Sequence, residues 1–202
     1  MTVQPGADAR PVARTLAQAM VPARDRVGPR AALLVLGGAT LTAVAAQAAF
    51  SVPWTPVPYT GQTAAVLLVG AARGWQLGAA SMLLYVLAGA VGAPVFAQGA
   101  HGSGQLLGAT GGYLIGFVLA AAVVGRLAEA GWDRSPLRAA GLMLLGNVVI
   151  YAVGVPVLAL VLALPAGDAI QSGALVFLPW DLLKVVLAAG LLPAAWRLAG
   201  RR

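Results

Sequence analysis

The chain has 202 residues, 60% of them hydrophobic and 9% charged, with a mean hydropathy of +0.86 and a net charge of +7. A soluble domain carries about 25% charged residues, so this composition belongs to a protein that crosses a bilayer several times. The lack of cysteine and the single histidine, His101, exclude disulfide scaffolds, thiolate chemistry and multi-histidine metal centres, and no cofactor is expected.

Residues 1–30 hold Pro5, Gly6, Pro11, Pro22, Gly28 and Pro29 and read as a cytoplasmic tail, largely disordered, with a short amphipathic turn near residues 13–20. The first apolar stretch starts too late and runs too long for a cleavable leader. A single membrane domain follows over 31–197, with a basic cytoplasmic tail at 198–202. The expected fold class is an all-α integral membrane bundle of six helices, at about 31–52, 62–72, 75–93, 109–125, 139–163 and 179–196.

These spans sort the charge. Arg10, Arg14, Arg24, Arg26 and Arg30 precede the first, and Arg73 joins the second to the third. Arg126, Arg134 and Arg138 lie between the fourth and fifth, and Arg197, Arg201 and Arg202 follow the sixth. The three other connections contain no lysine or arginine. By the positive-inside rule both termini are cytoplasmic, and the basic charge is a topology signal rather than a nucleic-acid footprint.

In the first span Ala39 and Ala43 are four residues apart, so one helix face admits a close neighbour, either another span or a partner subunit. Pro53, Pro56 and Pro58 then enforce a stiff, extended or turning loop, in which Trp54 and Tyr59 serve as interfacial anchors or as a lid. The second span has about eleven residues, roughly 16 Å of helix, too short to cross a core of about 30 Å unless neighbours or a cavity satisfy its ends.

A glycine-rich segment joins the third and fourth spans, with Gln98 and His101 as its polar candidates, and continues as Gly108-Ala109-Thr110-Gly111-Gly112-Tyr113. Thr110 is placed to cap the fourth helix, leaving N–H groups at Gly111, Gly112 and Tyr113 for a polar acceptor; the alternative is that the glycines pack this helix tightly. No Gly-Lys-Ser/Thr triplet exists, which excludes nucleotide hydrolysis by this chain. Asn147 and Tyr151 of the fifth span point either to packing or to a ligand.

The sixth span carries the only charges within the apolar stretches, Asp181 and Lys184. A charge at mid-bilayer costs roughly 2.5–3.5 kcal/mol, so such residues are read as functional. The i, i+3 spacing puts both on one face, and Pro179 sets Asp181 in the first turn, where the helix dipole favours a carboxylate. A salt bridge locking the helix to its neighbours is the plain reading. Against it, buried pairs are often no more stable than apolar replacements, and Asp181 acceptors beside Lys184 donors suit a compact amide- or urea-like head.

The segments Val57-Pro58-Tyr59-Thr60-Gly61-Gln62-Thr63, Gly92-Ala93-Pro94-Val95-Phe96, Thr110-Gly111-Gly112-Tyr113-Leu114-Ile115-Gly116-Phe117 and Pro179-Trp180-Asp181-Leu182-Leu183-Lys184, in this order, resemble the BioY family, the biotin-specific substrate-binding subunits of energy-coupling factor transporters. The resemblance implies a multi-pass subunit of the bacterial plasma membrane that takes biotin from outside. A transmembrane coupling subunit and cytoplasmic ATPases would supply the drive, and Ala39 and Ala43 match the docking motif of such subunits. On this resemblance Asp181 and Lys184 bind the ureido ring, while Gln98 or His101 and the helix start at Gly111, Gly112 and Tyr113 meet the carboxylate. The reverse orientation stays open. The rival reading is an ion-coupled secondary transporter of a small amphipathic solute with Asp181 as proton site; no constellation for an intramembrane enzyme is present.

Overall fold

The computed structural model describes residues 15–20 and 28–199 and consists of helices around one small hairpin. Expectations for residues 1–14, 21–27 and 200–202 lie outside the described residues. Helix α1 (Leu16–Met20) falls where a short turn was expected; Thr15 and Leu16 are buried, and it packs against α3 (Gln62–Arg73) and α9 (Leu178–Ala199). Helix α2 (Pro29–Gln47) opens with a proline in its first turn, where no N–H is needed, and stops five residues before the expected end.

Beyond it the chain turns back as an antiparallel hairpin, β1 (Ala49–Val52) and β2 (Thr55–Thr60), with Phe50 opposite Tyr59. This corrects the all-α expectation. The apolar run through Phe50 and Val52 reads like helix by hydropathy, but Pro56 and Pro58 each lack an N–H and hold the following segment extended, which a two-stranded ladder tolerates. Phe50 and Tyr59 stack at 5.1 Å between ring centroids.

Among the described residues, four segments are long and apolar enough to cross a membrane: Pro29–Gln47, Gly111–Glu129, Pro136–Leu162 and Ala166–Ala199. The last comprises α8 (Ala166–Gly173), a 3-10 turn and α9. Between the first and the second lie the shorter α3 and α4 (Trp75–Ala90) and a loop with α5 (Ser103–Leu107); the second and third are α6 (Gly111–Glu129) and α7 (Pro136–Leu162). Helix α3 has only 12 residues and survives because it is wrapped: α2, α4, α6 and α9 all pack on it, and seven of its residues are buried.

Glycines make this packing possible. A Cβ at Gly70 of α3 would stand 2.7 Å from the Ala121 carbonyl of α6, and one at Gly78 of α4 would stand 2.9 Å from the Gly70 Cα, so three backbones converge with no side chain between them. The Gly-Gly start of α6 works the same way against α7: a Cβ at Gly112 would meet the Val153 carbonyl at 2.7 Å, and one at Gly116 the Ile150 carbonyl at 3.0 Å. At the arginine-bearing end, Glu129 accepts from the Trp75 amide, and Trp196 Nε1 donates to Asp133 at 2.6 Å with the Arg134 guanidinium over its ring.

Candidate functional site

At the other end the short α3 begins below the hairpin, and a cavity of about 350 Å³ opens there. Its walls come from the hairpin, the starts of α3, α6 and α9, the 94–110 loop and Tyr151 of α7. The size is within the roughly 300–1,000 Å³ usual for small-molecule sites.

Asp181 and Lys184 both line it. Their side chains are 5% and 14% exposed and are joined by a 3.2 Å salt bridge from Lys184 Nζ to Asp181 Oδ1. Lys184 Nζ also donates to Thr63 Oγ1 at 2.7 Å, across to α3. Tyr151 Oη donates to the other Asp181 oxygen, which fixes α7 on α9. The pair therefore belongs to a four-residue group from α3, α7 and α9, with Tyr151 and Thr63 as members that spacing along α9 does not reveal. Tyr151, left open between packing and ligand, lines the cavity with its ring edge-on to Tyr113 and its hydroxyl on the Asp181 carboxylate. A buried pair satisfied on both members escapes the desolvation cost of an isolated charge.

A second, uncharged polar group borders the same cavity. Gln98 donates to Ser51 Oγ at 3.2 Å, and Thr110 Oγ1 donates to Gln105 at 3.4 Å. Gln98 holds a left-handed backbone (φ 59°), unusual for a residue with a side chain, which turns its amide back toward the hairpin. Gln47 pins that loop from α2, accepting from the Gly99 amide and donating to the Phe96 carbonyl.

Other expected residues fall elsewhere. His101 is exposed, its Nδ1 3.1 Å from the Gly99 carbonyl, and does not line the cavity. Nor do Gly111 and Gly112, which are buried against the preceding turn and α7. Thr110 takes the cap position without a side-chain cap. The amides expected to be free are in part consumed by a turn over 108–110: Gly111 N–H donates to Gly108 O at 3.0 Å and Tyr113 N–H to Thr110 O at 3.1 Å. Tyr113 does line the site, but through its ring, its hydroxyl bonding the Gly173 carbonyl at 2.8 Å. Two more hydroxyls reach the same connection, Thr55 to Ser172 O and Tyr59 to Val176 O, both at 2.7 Å. Trp54 is exposed at the hairpin turn, while Tyr59 braces Phe177, a cavity wall.

Ala39 and Ala43 lie away from this site, in an apolar surface groove of about 430 Å³ between α2 and α4, where Leu84 and Ala88 face them. Ala39 is buried against the chain itself, so part of the small-residue face serves internal packing.

The sequence profile described as the BioY family matches residues 17–201. A "Biotin transporter BioY" of Thermotoga maritima is 40% identical over 156 residues, covering 77% of this chain and 90% of that protein. The protein of the same description from Rhizobium etli is 32% identical, covering 78% and 87%. Among solved structures, the S-component for biotin from an ECF-type ABC transporter superposes with a TM-score of 0.76 at 21% identity, over 83% of this chain and 91% of that one, a likeness of fold. With a profile matched along nearly its whole length, a multi-pass helical bundle and a charged pair enclosed beside a small cavity, this chain belongs to the BioY family of transporter proteins, not to an enzyme family.

Proposed function

We propose that this protein is the biotin-capturing subunit of an ATP-driven energy-coupling factor transporter. The observation that carries this is the Asp181–Lys184 pair, buried yet lining a cavity large enough for a vitamin, in a member of a family whose relatives are biotin transporters. The reading takes α2, α3, α4, α6, α7 and α9 as six spans with both termini in the cytoplasm, which the one-sided arginines support. The cavity then opens toward the outer face of the plasma membrane.

Biotin has a urea-like ring with two N–H donors and a carbonyl, a thioether ring and an aliphatic tail ending in a carboxylate. Asp181 accepts from a ureido N–H and Lys184 donates to the ureido carbonyl, while Tyr113, Phe117 and Phe177 supply apolar walls. The carboxylate meets the amide donors of Gln98 and Gln105 near the 94–110 loop. Transport requires a transmembrane coupling subunit, docked on the α2 face that carries Ala39 and Ala43, and ATPases that this chain does not contain.

The test is equilibrium binding of radiolabelled biotin to the purified full chain in detergent, with uptake followed in cells that do or do not express the coupling subunits. Saturable biotin binding by the chain alone, with ATP-dependent uptake only alongside the coupling subunits, is the expected result. Absence of binding removes the proposal, and ion-gradient-driven uptake into vesicles holding only this chain favours a secondary transporter.

A further inference from the structure

Below the biotin cavity lies a second space of about 230 Å³ between α3, α7 and α9, bordered by Leu67, Leu68, Met143 and Leu187. Three polar side chains reach it: Lys184, Thr63 and Asn147. Lys184 and Thr63 line the upper cavity too, so the lysine forms part of the partition between the two spaces. Asn147 is 6% exposed, and its Oδ1 is buried with no hydrogen-bond partner among the described residues. An orphaned carbonyl of this kind is uncommon and calls for a donor.

A donor is at hand. An ammonium has three hydrogens, and Lys184 directs one to Asp181 Oδ1 and one to Thr63 Oγ1. The third has no oxygen or nitrogen acceptor among the described residues, the Trp180 ring lying 5.7 Å from the ammonium nitrogen. Thr63, accepting from the lysine, retains its own O–H to donate. Two donors and one acceptor around an otherwise apolar space well above the size of one water are the setting in which buried water is held, commonly by about three hydrogen bonds.

We propose that Asn147 is a positioning residue for Lys184, binding an ordered water that links its carbonyl to the lysine ammonium and the Thr63 hydroxyl. The water anchors the ammonium from below and holds it in place beside Asp181 at the wall of the upper cavity. Asn147 itself does not touch the ligand. The effect on affinity rests on the biotin reading above; the water site does not.

The experiment is a double-mutant cycle in labelled-biotin affinity on the full chain, with Asn147→Leu, Asn147→Ala and Asn147→Asp, each alone and with Lys184→Met, beside a crystal structure of the unliganded wild type. Asn147→Leu and Asn147→Ala are expected to weaken binding about tenfold, Asn147→Asp to stay within about threefold of wild type by keeping an acceptor, and none to weaken the Lys184→Met protein further. A folded Leu or Ala variant with wild-type affinity overturns the proposal, as does an equal loss in the Lys184→Met background; the Ala variant decides should the Leu variant not fold. Density for a water bonded to both Lys184 and Asn147 supports it, and a dry cavity overturns it. If wild type binds no biotin, the functional reading fails while the density still decides the water site.

Discussion

Removing one member of the Asp181–Lys184 pair separates a helix lock from a ligand grip. Asp181→Asn leaves the Lys184 ammonium, 14% exposed, with Thr63 Oγ1 as its remaining protein partner in the group. Breaking a buried pair from one side costs about 3–5 kcal/mol, and the residual exposure and the Thr63 bond place this case near about 3 kcal/mol. For a chain of this size that corresponds to a fall in Tm of roughly 6–12 °C. Lys184→Met leaves the carboxylate with the Tyr151 hydroxyl and should cost a similar amount. The double variant Asp181→Asn/Lys184→Met leaves no uncompensated charge and should return to within about 1 kcal/mol of wild type. Binding should not return with it. Two charge-assisted hydrogen bonds to biotin, at about 1.5 kcal/mol or more each, amount to at least about a hundredfold in affinity. The assay is thermal unfolding in detergent beside isothermal titration with biotin. Recovery of both stability and affinity in the double variant would refute a ligand role, and so would a folded single variant with wild-type affinity.

Tyr151→Phe should weaken biotin binding by about tenfold through loss of the donor to Asp181, about 1–3 kcal/mol for a buried acceptor; unchanged affinity by titration would leave only its ring important. Gly154→Ala would place a Cβ 2.4 Å from the Tyr113 ring, so a loss of about 1–3 kcal/mol in thermal unfolding is expected, eased when Tyr113 is shortened to Ala. Ala39→Leu with Ala43→Leu fills the α2–α4 groove and should abolish uptake with the coupling subunits while leaving biotin affinity intact; surviving uptake would place docking elsewhere. Burial holds the Asp133 carboxyl above its ordinary value of 3.8, opposed by the Trp196 bond, a backbone bond and Arg134, so the folded state binds the proton more tightly than the unfolded. Stability from this group is full below 3.8 and declines as pH rises through the raised folded value; Asp133→Asn should remove that slope in urea unfolding followed by tryptophan fluorescence, and an unchanged slope would exclude Asp133 as its source.

The framework was legible because its signals are absolute rather than statistical. A charge in an apolar helix and one-sided arginines have few interpretations, and hydropathy puts each of the six expected stretches on a helix, α3 included, with bounds off by at most five residues. The hairpin was not, because Phe50 and Val52 extend the apolar run of α2 and only the prolines after them mark the reversal. Helix α8 escaped because Asp168, Gln171 and Ser172 give it the composition of a loop. The glycines at the start of α6 were left open between a ligand and packing; Gly112 and Gly116 meet α7 and Gly111 the preceding turn, so a small residue announces a close approach without naming what approaches. Thr63 and Tyr151 join the site from other helices, 121 and 30 residues away from their partners, which no local pattern encodes.

Helix α3 spans about 18 Å by its 12 residues, against a hydrocarbon layer of about 30 Å. On the six-span reading proposed above, the missing 12 Å or so is where the chamber sits, made by omitting two turns of a span and not by bending one. The hairpin roofs that gap, with Ser51 and Pro56 exposed and Val57 packed into the core. Cargo preference can therefore drift through substitutions at Ser51 and Pro56 while the scaffold beneath stays as it is.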